Sequence, residues 1–277
     1  MKNQYQTQEA KIIKITRDSA DVKLFRLEMV GGSVGAPEFY PGQIMEISLP
    51  GYGEAPVAYC SSQSQRKYFE ICVREIGLLT KRLHELKVGD TIGVRGPYGN
   101  GFTTDVIKKR NMLIVAGGIG MIPFRSLLET ACDNPDEYPK DIQVFYGSKN
   151  KEGLLFEKDY DKWCQKIDMH LTLDEGKEGE KIEGVYCDIG LITKLFEKTE
   201  VIKDAIAIVC GPPVMCKFVV NELKKHDFAD EDIYLSLERR MECGVGQCEH
   251  CAVGPYFVCK DGPIFSWDKI KGIKGAI

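Results

Sequence analysis

The first hundred residues are cut into short apolar runs of strand length. Residues 9–17, 21–30, 42–49, 68–74 and 90–95 are rich in Val, Ile, Leu and Phe, and turn residues bound them. In the second run Phe25, Leu27 and Met29 alternate with Arg26 and Glu28, the period of a strand with one buried face. Gly31-Gly32, Pro41-Gly42, Pro50-Gly51 and Gly96-Pro97 mark turns. One helix is predicted over 78–86, where Leu79, Leu83 and Leu86 share a face. Many short strands with Gly/Pro turns predict a small antiparallel β-barrel over residues 1–105.

From residue 106 the period changes. Strands are predicted at 112–116, 143–146, 169–173, 205–210 and 233–237, with helices near 123–132, 151–163, 191–198 and 214–226. Alternating strands and helices predict an α/β domain over 106–236, its parallel sheet covered on both faces. The acidic stretch DEGKEGEKIEG (174–184) reads as an exposed loop. After Glu238 the pattern dissolves into a cysteine- and glycine-rich tail, a small subdomain over 237–277. The fold class expected is multidomain α+β.

Composition narrows the function. The 277-residue chain is 43% hydrophobic and 28% charged, as in an ordinary globular protein. A net charge of −4 argues against nucleic acid as a partner. No apolar run approaches the ~18 residues of a membrane span; the most apolar stretches, 112–124 and 205–215, are broken by Gly and Pro. The polar start MKNQYQTQEAK has no apolar signal-peptide core, so a cytoplasmic location is expected. Eleven cysteines complete the picture. Seven (Cys60, Cys72, Cys132, Cys164, Cys187, Cys210 and Cys216) are scattered through predicted strands and helices, whereas Cys243, Cys248, Cys251 and Cys259 are crowded together. In a chain without a signal this split suggests reduced thiols plus one cofactor site.

The tail reads MECGVGQCEHCAVGPYFVCKDGPIF, a C-x4-C-x2-C-x7-C spacing. Its first three cysteines match the [2Fe–2S] spacing of plant-type ferredoxins, which place the fourth far downstream. Gly244 and Gly246 let the backbone bend around a cluster and bring N–H groups toward sulfur. A structural zinc site is the alternative, but it usually shows two C-x2-C pairs and only Cys248/Cys251 forms one. A Rieske centre would need a second histidine beside His250, and the tail holds none.

Upstream, VAGGIGMIPF (115–124) follows an apolar strand and opens a helix. Gly117, Gly118 and Gly120 allow close approach of a pyrophosphate, and Pro123 suits a first helical turn. The usual third glycine of the dinucleotide fingerprint is a proline here, and a lone glycine-rich turn serves tight packing equally well. Ser148 and Lys149, with Lys151, follow the next strand where a ribose would lie. With no acidic residue at that strand end, they favour a 2′-phosphate and hence NADP. Cys210, Gly211 and Pro212 close a later strand at the edge where open α/β sheets bind ligands. A buried cysteine alone is ordinarily a small hydrophobe.

Together these segments resemble the ferredoxin–NADP reductase superfamily. Closest in appearance are flavin subunits of multi-subunit anaerobic enzymes: sulfhydrogenase gamma subunits and anaerobic sulfite reductase B subunits. The resemblance rests on YPGQIMEISLPGYGEAP, VRGPYGNGF, VAGGIGMIP, CGPPVM, LERRMECGVGQCEHC and VCKDGPIF. It implies an FAD-binding barrel, a nicotinamide-nucleotide domain and a terminal [2Fe–2S] cluster held by the four crowded cysteines. It also implies flavin contacts at Pro56, Val57, Ala58, Tyr59 and Ser61, and a flavin pyrophosphate near Arg74, Gly77 and Thr80. Read alone, Arg74 and Thr80 are a surface charge and a helix cap. The family's Arg-x-Tyr-Ser flavin motif stands here as Ala55-Pro56-Val57-Ala58, which leaves FAD or FMN open. Cys210 would lie beside the nicotinamide and flavin rings and shape their pocket.

The expected activity is an oxidoreductase that moves electrons between NAD(P)H, FAD, the cluster and a partner. Arg239 and Arg240, just before the cluster, either raise its potential or form a plain surface pair. The partner is another subunit of a redox complex, such as a hydrogenase or sulfite reductase. A free-standing ferredoxin-type reductase is the second reading, and a nucleotide- or redox-sensing module the non-enzymatic one.

Overall fold

The computed structural model describes residues 3–31, 35–102, 110–136, 138, 141–177 and 179–277. Gly32 of the first predicted turn and the expected boundary between residues 105 and 106 lie outside them. The chain divides into two compact units.

The first unit comprises Met1–Phe102, Arg125–Thr130 and Glu238–Pro263. Its sheet is built from β1 (Gln8–Arg17), β2 (Val22–Met29), β3 (Ile44–Leu49), β4 (Gly53–Ala58), β5 (Phe69–Arg74) and β6 (Thr91–Tyr98). The order is β4-β3-β6-β1-β2-β5, antiparallel throughout. Inward-facing Ile12, Phe25, Leu27, Met45, Ile47 and Phe69 are buried in one core, each contributing about 2 kcal/mol by leaving water. The two edge strands meet at one bridge, Tyr59↔Ile71, beside the Cys60 N–H to Glu70 carbonyl bond of 2.8 Å.

β4 escapes the sequence pattern because Gly53, Ala55 and Pro56 are weak strand formers. The proline is tolerated because β4 is an edge strand. The predicted helix stands at Leu78–Glu85, burying Leu79 and Leu83. The cysteine segment adds a hairpin, β14 (Ala252–Val253) with β15 (Tyr256–Phe257), and a single turn of helix at Val258–Asp261.

The second unit comprises Thr103–Phe124, Ala131–Leu237 and Ile264–Ile277. Its strands are β7 (Asn111–Gly117), β8 (Ile142–Ser148), β9 (Asp168–Leu173), β10 (Lys181–Ile182), β11 (Val185–Ile189), β12 (Ala205–Cys210), β13 (Ile233–Ser236) and β16 (Ile264–Ser266). The order is β10-β11-β9-β8-β7-β12-β13-β16. The pairs from β11 to β13 are parallel, and antiparallel β10 and β16 close the ends. After β7 the chain builds outward through β8 and β9, then returns to β12 on β7's other side. The switch point where open α/β sheets bind ligands therefore lies at the carboxyl ends of β7 and β12.

Three expectations change here. The helix over 151–163 is broken into 3-10 turns and the short helix Tyr160–Trp163. Leu154, Leu155 and Phe156 are all buried, and three consecutive buried positions cannot share one helical face; Phe156 turns at φ +61°. The loop over 174–184 ends in β10, which leads directly into β11. The tail also contributes β16, paired with β13, to the main sheet.

Candidate redox site

The cysteine loop turns its amides toward sulfur. Cys243 Sγ accepts from the N–H groups of Val245 at 3.4 Å, Gln247 at 3.3 Å and Cys248 at 3.4 Å. Gly246 N–H donates to Cys259 Sγ at 3.2 Å, and Cys259 N–H to Cys251 Sγ at 3.5 Å. Gly244 (φ +76°) and Gly246 (φ +73°) adopt the left-handed backbone that this wrapping needs. A Cβ on Gly244 would stand 2.8 Å from the Tyr98 ring. Burial pushes the Cys243 thiol up, but the amides of Cys248, Val245 and Gln247 outweigh it and bring it down to about 6. Burial and the Cys251 thiol push Cys259 up to about 12.

Backbone bonds link the four cysteines in two pairs, Cys248 N–H to Cys243 Sγ and Cys259 N–H to Cys251 Sγ. Among the described residues no three His, Cys, Asp or Glu side chains converge in a way that could hold one metal ion. The donor set suits an iron–sulfur cluster, with four thiolates and N–H groups aimed at sulfur. His250 stays apart from it, 3.3 Å from Glu242 Oε1.

Along the expected flavin segment, Pro56, Val57 and Ala58 are half-buried on β4. Tyr59 is a core residue, 2% exposed, with its ring stacked on Phe39 at a centroid distance of 4.0 Å. Ser61 is also buried and its hydroxyl accepts from Glu70 N–H at 3.1 Å. Arg74 Nε is tied to Asp21 at 2.6 Å. Thr80 Oγ1 accepts from the amides of Ile76 and Gly77 and donates to the Gly77 carbonyl. Its hydroxyl therefore locks the start of helix Leu78–Glu85. The donors left at that end are first-turn amides without intrahelical acceptors, and nothing lies within 4 Å of where a Gly77 side chain would be. That opening fits a phosphate. The unit's cleft of about 720 Å³ lies elsewhere, lined by Tyr5, Met45, Tyr59, Phe69, Arg95 and Tyr98 among others.

In the second unit β7 and β12 bring the two nucleotide motifs together, with Ala116 opposite Cys210. The glycines there divide by role. A Cβ on Gly120 would meet the Cys210 carbonyl at 2.3 Å, and those on Gly117 and Gly211 would meet Met215 at 2.4 and 2.5 Å. Only Gly118, at φ +53°, has open space around it. Tyr146 Oη donates to the Gly118 carbonyl at 3.1 Å and fixes the turn. The helix Ile122–Asp133 follows, with Pro123 in its first turn. Pro212 caps the helix Pro213–Lys225. An open, left-handed turn opposite a second helix start fits a dinucleotide.

Cys210 is 2% exposed, so it can shape a pocket floor but offers no open thiol. Ser148 is buried, and Lys149 pairs with Glu175 at 3.6 Å. Lys151 pairs with Glu180 at 3.5 Å. The expectation that this strand end lacks acidic residues is therefore corrected. Glu175 arrives from the end of β9, its N–H bonded to the Lys149 carbonyl at 2.8 Å.

Comparison with known proteins follows the same division. The oxidoreductase FAD-binding domain matches residues 9–102 and the oxidoreductase NAD-binding domain residues 114–221. The iron–sulfur cluster binding domain of dihydroorotate dehydrogenase B matches residues 238–271. The sulfhydrogenase 2 gamma subunit of Pyrococcus furiosus is 38% identical, covering 97% of this chain and 98% of its own. The chain belongs to this family of oxidoreductase subunits. A probable dihydroorotate dehydrogenase B electron-transfer subunit of the same organism is 33% identical over 83% of this chain and 80% of its own. The solved structure of an NADH-dependent reduced ferredoxin–NADP oxidoreductase, described for flavin-based electron bifurcation, aligns with TM-score 0.74. It is 25% identical, covering 98% of this chain and 93% of that one. Among the described residues no helix is long and apolar enough to cross a membrane.

Within this family member, two arginines that sequence reasoning passed over organise the first unit. Arg125 donates to the Cys60 carbonyl and to Glu70, both at 2.8 Å, holding the segment after β4. Arg95, 6% exposed, donates to Cys243 O at 2.7 Å and to Glu242 O. Arg239 and Arg240, just before the cysteines in sequence, contact the Glu238 carbonyl and the Glu242 carboxylate, with Arg240 83% exposed. For Arg95 the available signal was a charge set between Val94 and Tyr98 in a predicted strand; Arg125, in the helix Ile122–Asp133, offered none.

Proposed function

We propose that this chain is the NAD(P)H-linked flavin and [2Fe–2S] electron-transfer subunit of a multi-subunit redox complex, its partner another subunit of that complex, as in its hydrogenase relatives. The observation that carries the reading is the pairing of Cys243 with Cys248 and Cys251 with Cys259, with five backbone N–H bonds to sulfur. Two ligands per iron is what a two-iron cluster takes.

When bound, the nucleotide, the flavin and the cluster supply the hydride and single-electron chemistry. The chain's own residues bind and orient them. Gly118 and the start of helix Ile122–Asp133 receive the dinucleotide pyrophosphate, with Gly211 and Pro212 facing it and Cys210 shaping the floor. The amides of Leu78 and Leu79, freed by the open Gly77, receive the flavin phosphates, Arg74 adds charge it shares with Asp21, and Pro56–Ala58 form the wall along the ring. The six-stranded sheet acts as the flavin barrel, residues 1–105, followed by the nucleotide domain, 106–236, and the cluster segment, 237–277. Seven further thiols that stay reduced suit a cytoplasmic location.

Anaerobic absorption spectra with iron, sulfide and flavin analysis, before and after NADH or NADPH, test this. Iron and acid-labile sulfide at about two each per chain, with flavin bleached by nucleotide, are expected. Zinc without sulfide in oxygen-free material would overturn the reading.

A further inference from the structure

We propose that Arg95 is a positioning residue for the iron–sulfur centre, orienting the first ligand loop and setting the cluster's potential together with Glu54. The inference rests on the cluster reading above and goes beyond it.

Arg95 sits on β6, and its guanidinium contacts two consecutive carbonyls about 150 residues away in sequence, Glu242 O and Cys243 O. A planar fork of N–H donors that grips neighbouring carbonyls fixes the plane of the peptide between them. That peptide leads directly into Gly244, Val245 and the amides that face Cys243 Sγ. The guanidinium is itself fixed from behind. Glu54 accepts from Nε at 3.0 Å and from Nη2 at 2.7 Å, and Tyr98 Oη accepts from Nη1 at 3.0 Å. Tyr98 also roofs Gly244 and donates to the Gln4 carbonyl at 2.8 Å. Arg95 and Tyr98, three residues apart on one strand and bonded to each other, therefore both bear on the loop.

The charges act in opposite senses. Arg95 presents a permanent positive charge to the peptide carrying a cluster ligand, and Glu54 offsets it from the far side. Positive charge near a cluster stabilises the more negative, reduced form and raises the potential. Arg95→Met would leave Glu54 unbalanced and two carbonyls unpaired, whereas Glu54→Gln would leave Arg95 unbalanced. A merely structural brace would move cluster content in both variants but give no opposed shifts.

The test is an EPR-monitored redox titration of the full-length protein prepared without oxygen, with iron and sulfide counted in each sample. Arg95→Met is expected to shift the midpoint negative and broaden the signal. Glu54→Gln is expected to shift it positive, and Arg95→Lys to restore part of the Arg95→Met loss. Full iron and sulfide in Arg95→Met with an unchanged midpoint and spectrum would overturn the proposal. Where Arg95→Met fails to hold a cluster, Glu54→Gln decides: an unchanged or negative shift overturns it. Wild-type protein without acid-labile sulfide would remove the cluster reading itself, a result distinguishable because it precedes any variant.

Discussion

The cysteine loop and the glycine turn after β7 both rely on glycine, but for different ends. At Gly244 and Gly246 the left-handed backbone aims N–H groups at sulfur, so the glycines act toward the ligand. At the β7 turn only Gly118 is left-handed with open space around it; Gly117 and Gly120 are small because Met215 and the Cys210 carbonyl press on them. One loop spends its glycines on chemistry, the other mostly on packing two strand ends together. A glycine pattern alone therefore does not say which end it serves.

Substitution sharpens this contrast, beginning with Gly244→Ala. The new Cβ would meet both a left-handed backbone and the Tyr98 ring. Loss of most bound iron and sulfide is expected, with flavin retained; metal and flavin analysis checks it. In the other loop, Gly120→Ala forces a Cβ against backbone, and a stability loss of about 3 kcal/mol is expected from denaturant unfolding. Gly118→Ala should cost only about 1 kcal/mol while raising KM for the nucleotide. If Gly118→Ala proved the more destabilising of the two, the division of roles at this turn would fail.

Next in size is a pH effect. Glu46 lies on β3 opposite Arg95, fully buried, with neither carboxylate oxygen hydrogen-bonded. Burial pushes its carboxyl from 4.5 up to about 7; Arg95 opposes this, while Glu54 and Cys243 add to it. Because the folded form holds the proton more tightly, stability is full below the unfolded value and falls as pH rises toward 7, by at most about 3 kcal/mol. Denaturant midpoints between pH 4.5 and 7.5 should decline in the wild type, and Glu46→Gln should remove that share of the slope. The smallest effect concerns nucleotide choice. Glu175 neutralises Lys149 at the expected ribose position, so Glu175→Gln should raise the NADPH-to-NADH ratio of kcat/KM about two- to fivefold. An unchanged ratio would place the 2′-position elsewhere.

Much of this was legible from local pattern. The strand expected at 205–210 is Ala205–Cys210, and the run at 112–116 lies within Asn111–Gly117, because a buried parallel strand is apolar at every position. The iron–sulfur segment was legible because its cysteine spacing is a local pattern, and residues 238–271 match an iron–sulfur cluster binding domain. What stayed hidden depends on distant partners. β4 is a strand through its pairing with β3, despite Pro56. The flavin segment's Tyr59 and Ser61 look like ligand contacts in sequence, yet face the core and β5. Arg95 takes its meaning from carbonyls 147 and 148 residues along the chain, beyond any local window.

The pairing of β13 with β16 has a consequence for modularity. Ser236 and Ile264 are direct neighbours in that ladder, so the chain leaves the nucleotide sheet and re-enters it roughly one strand spacing, about 5 Å, away. The intervening cysteine-bearing stretch is thus an insertion whose two ends are already joined by the sheet. A short hairpin turn could take its place without reordering a single strand. An architecture of this kind can gain, lose or exchange its iron–sulfur segment while the NAD-binding domain keeps its connectivity.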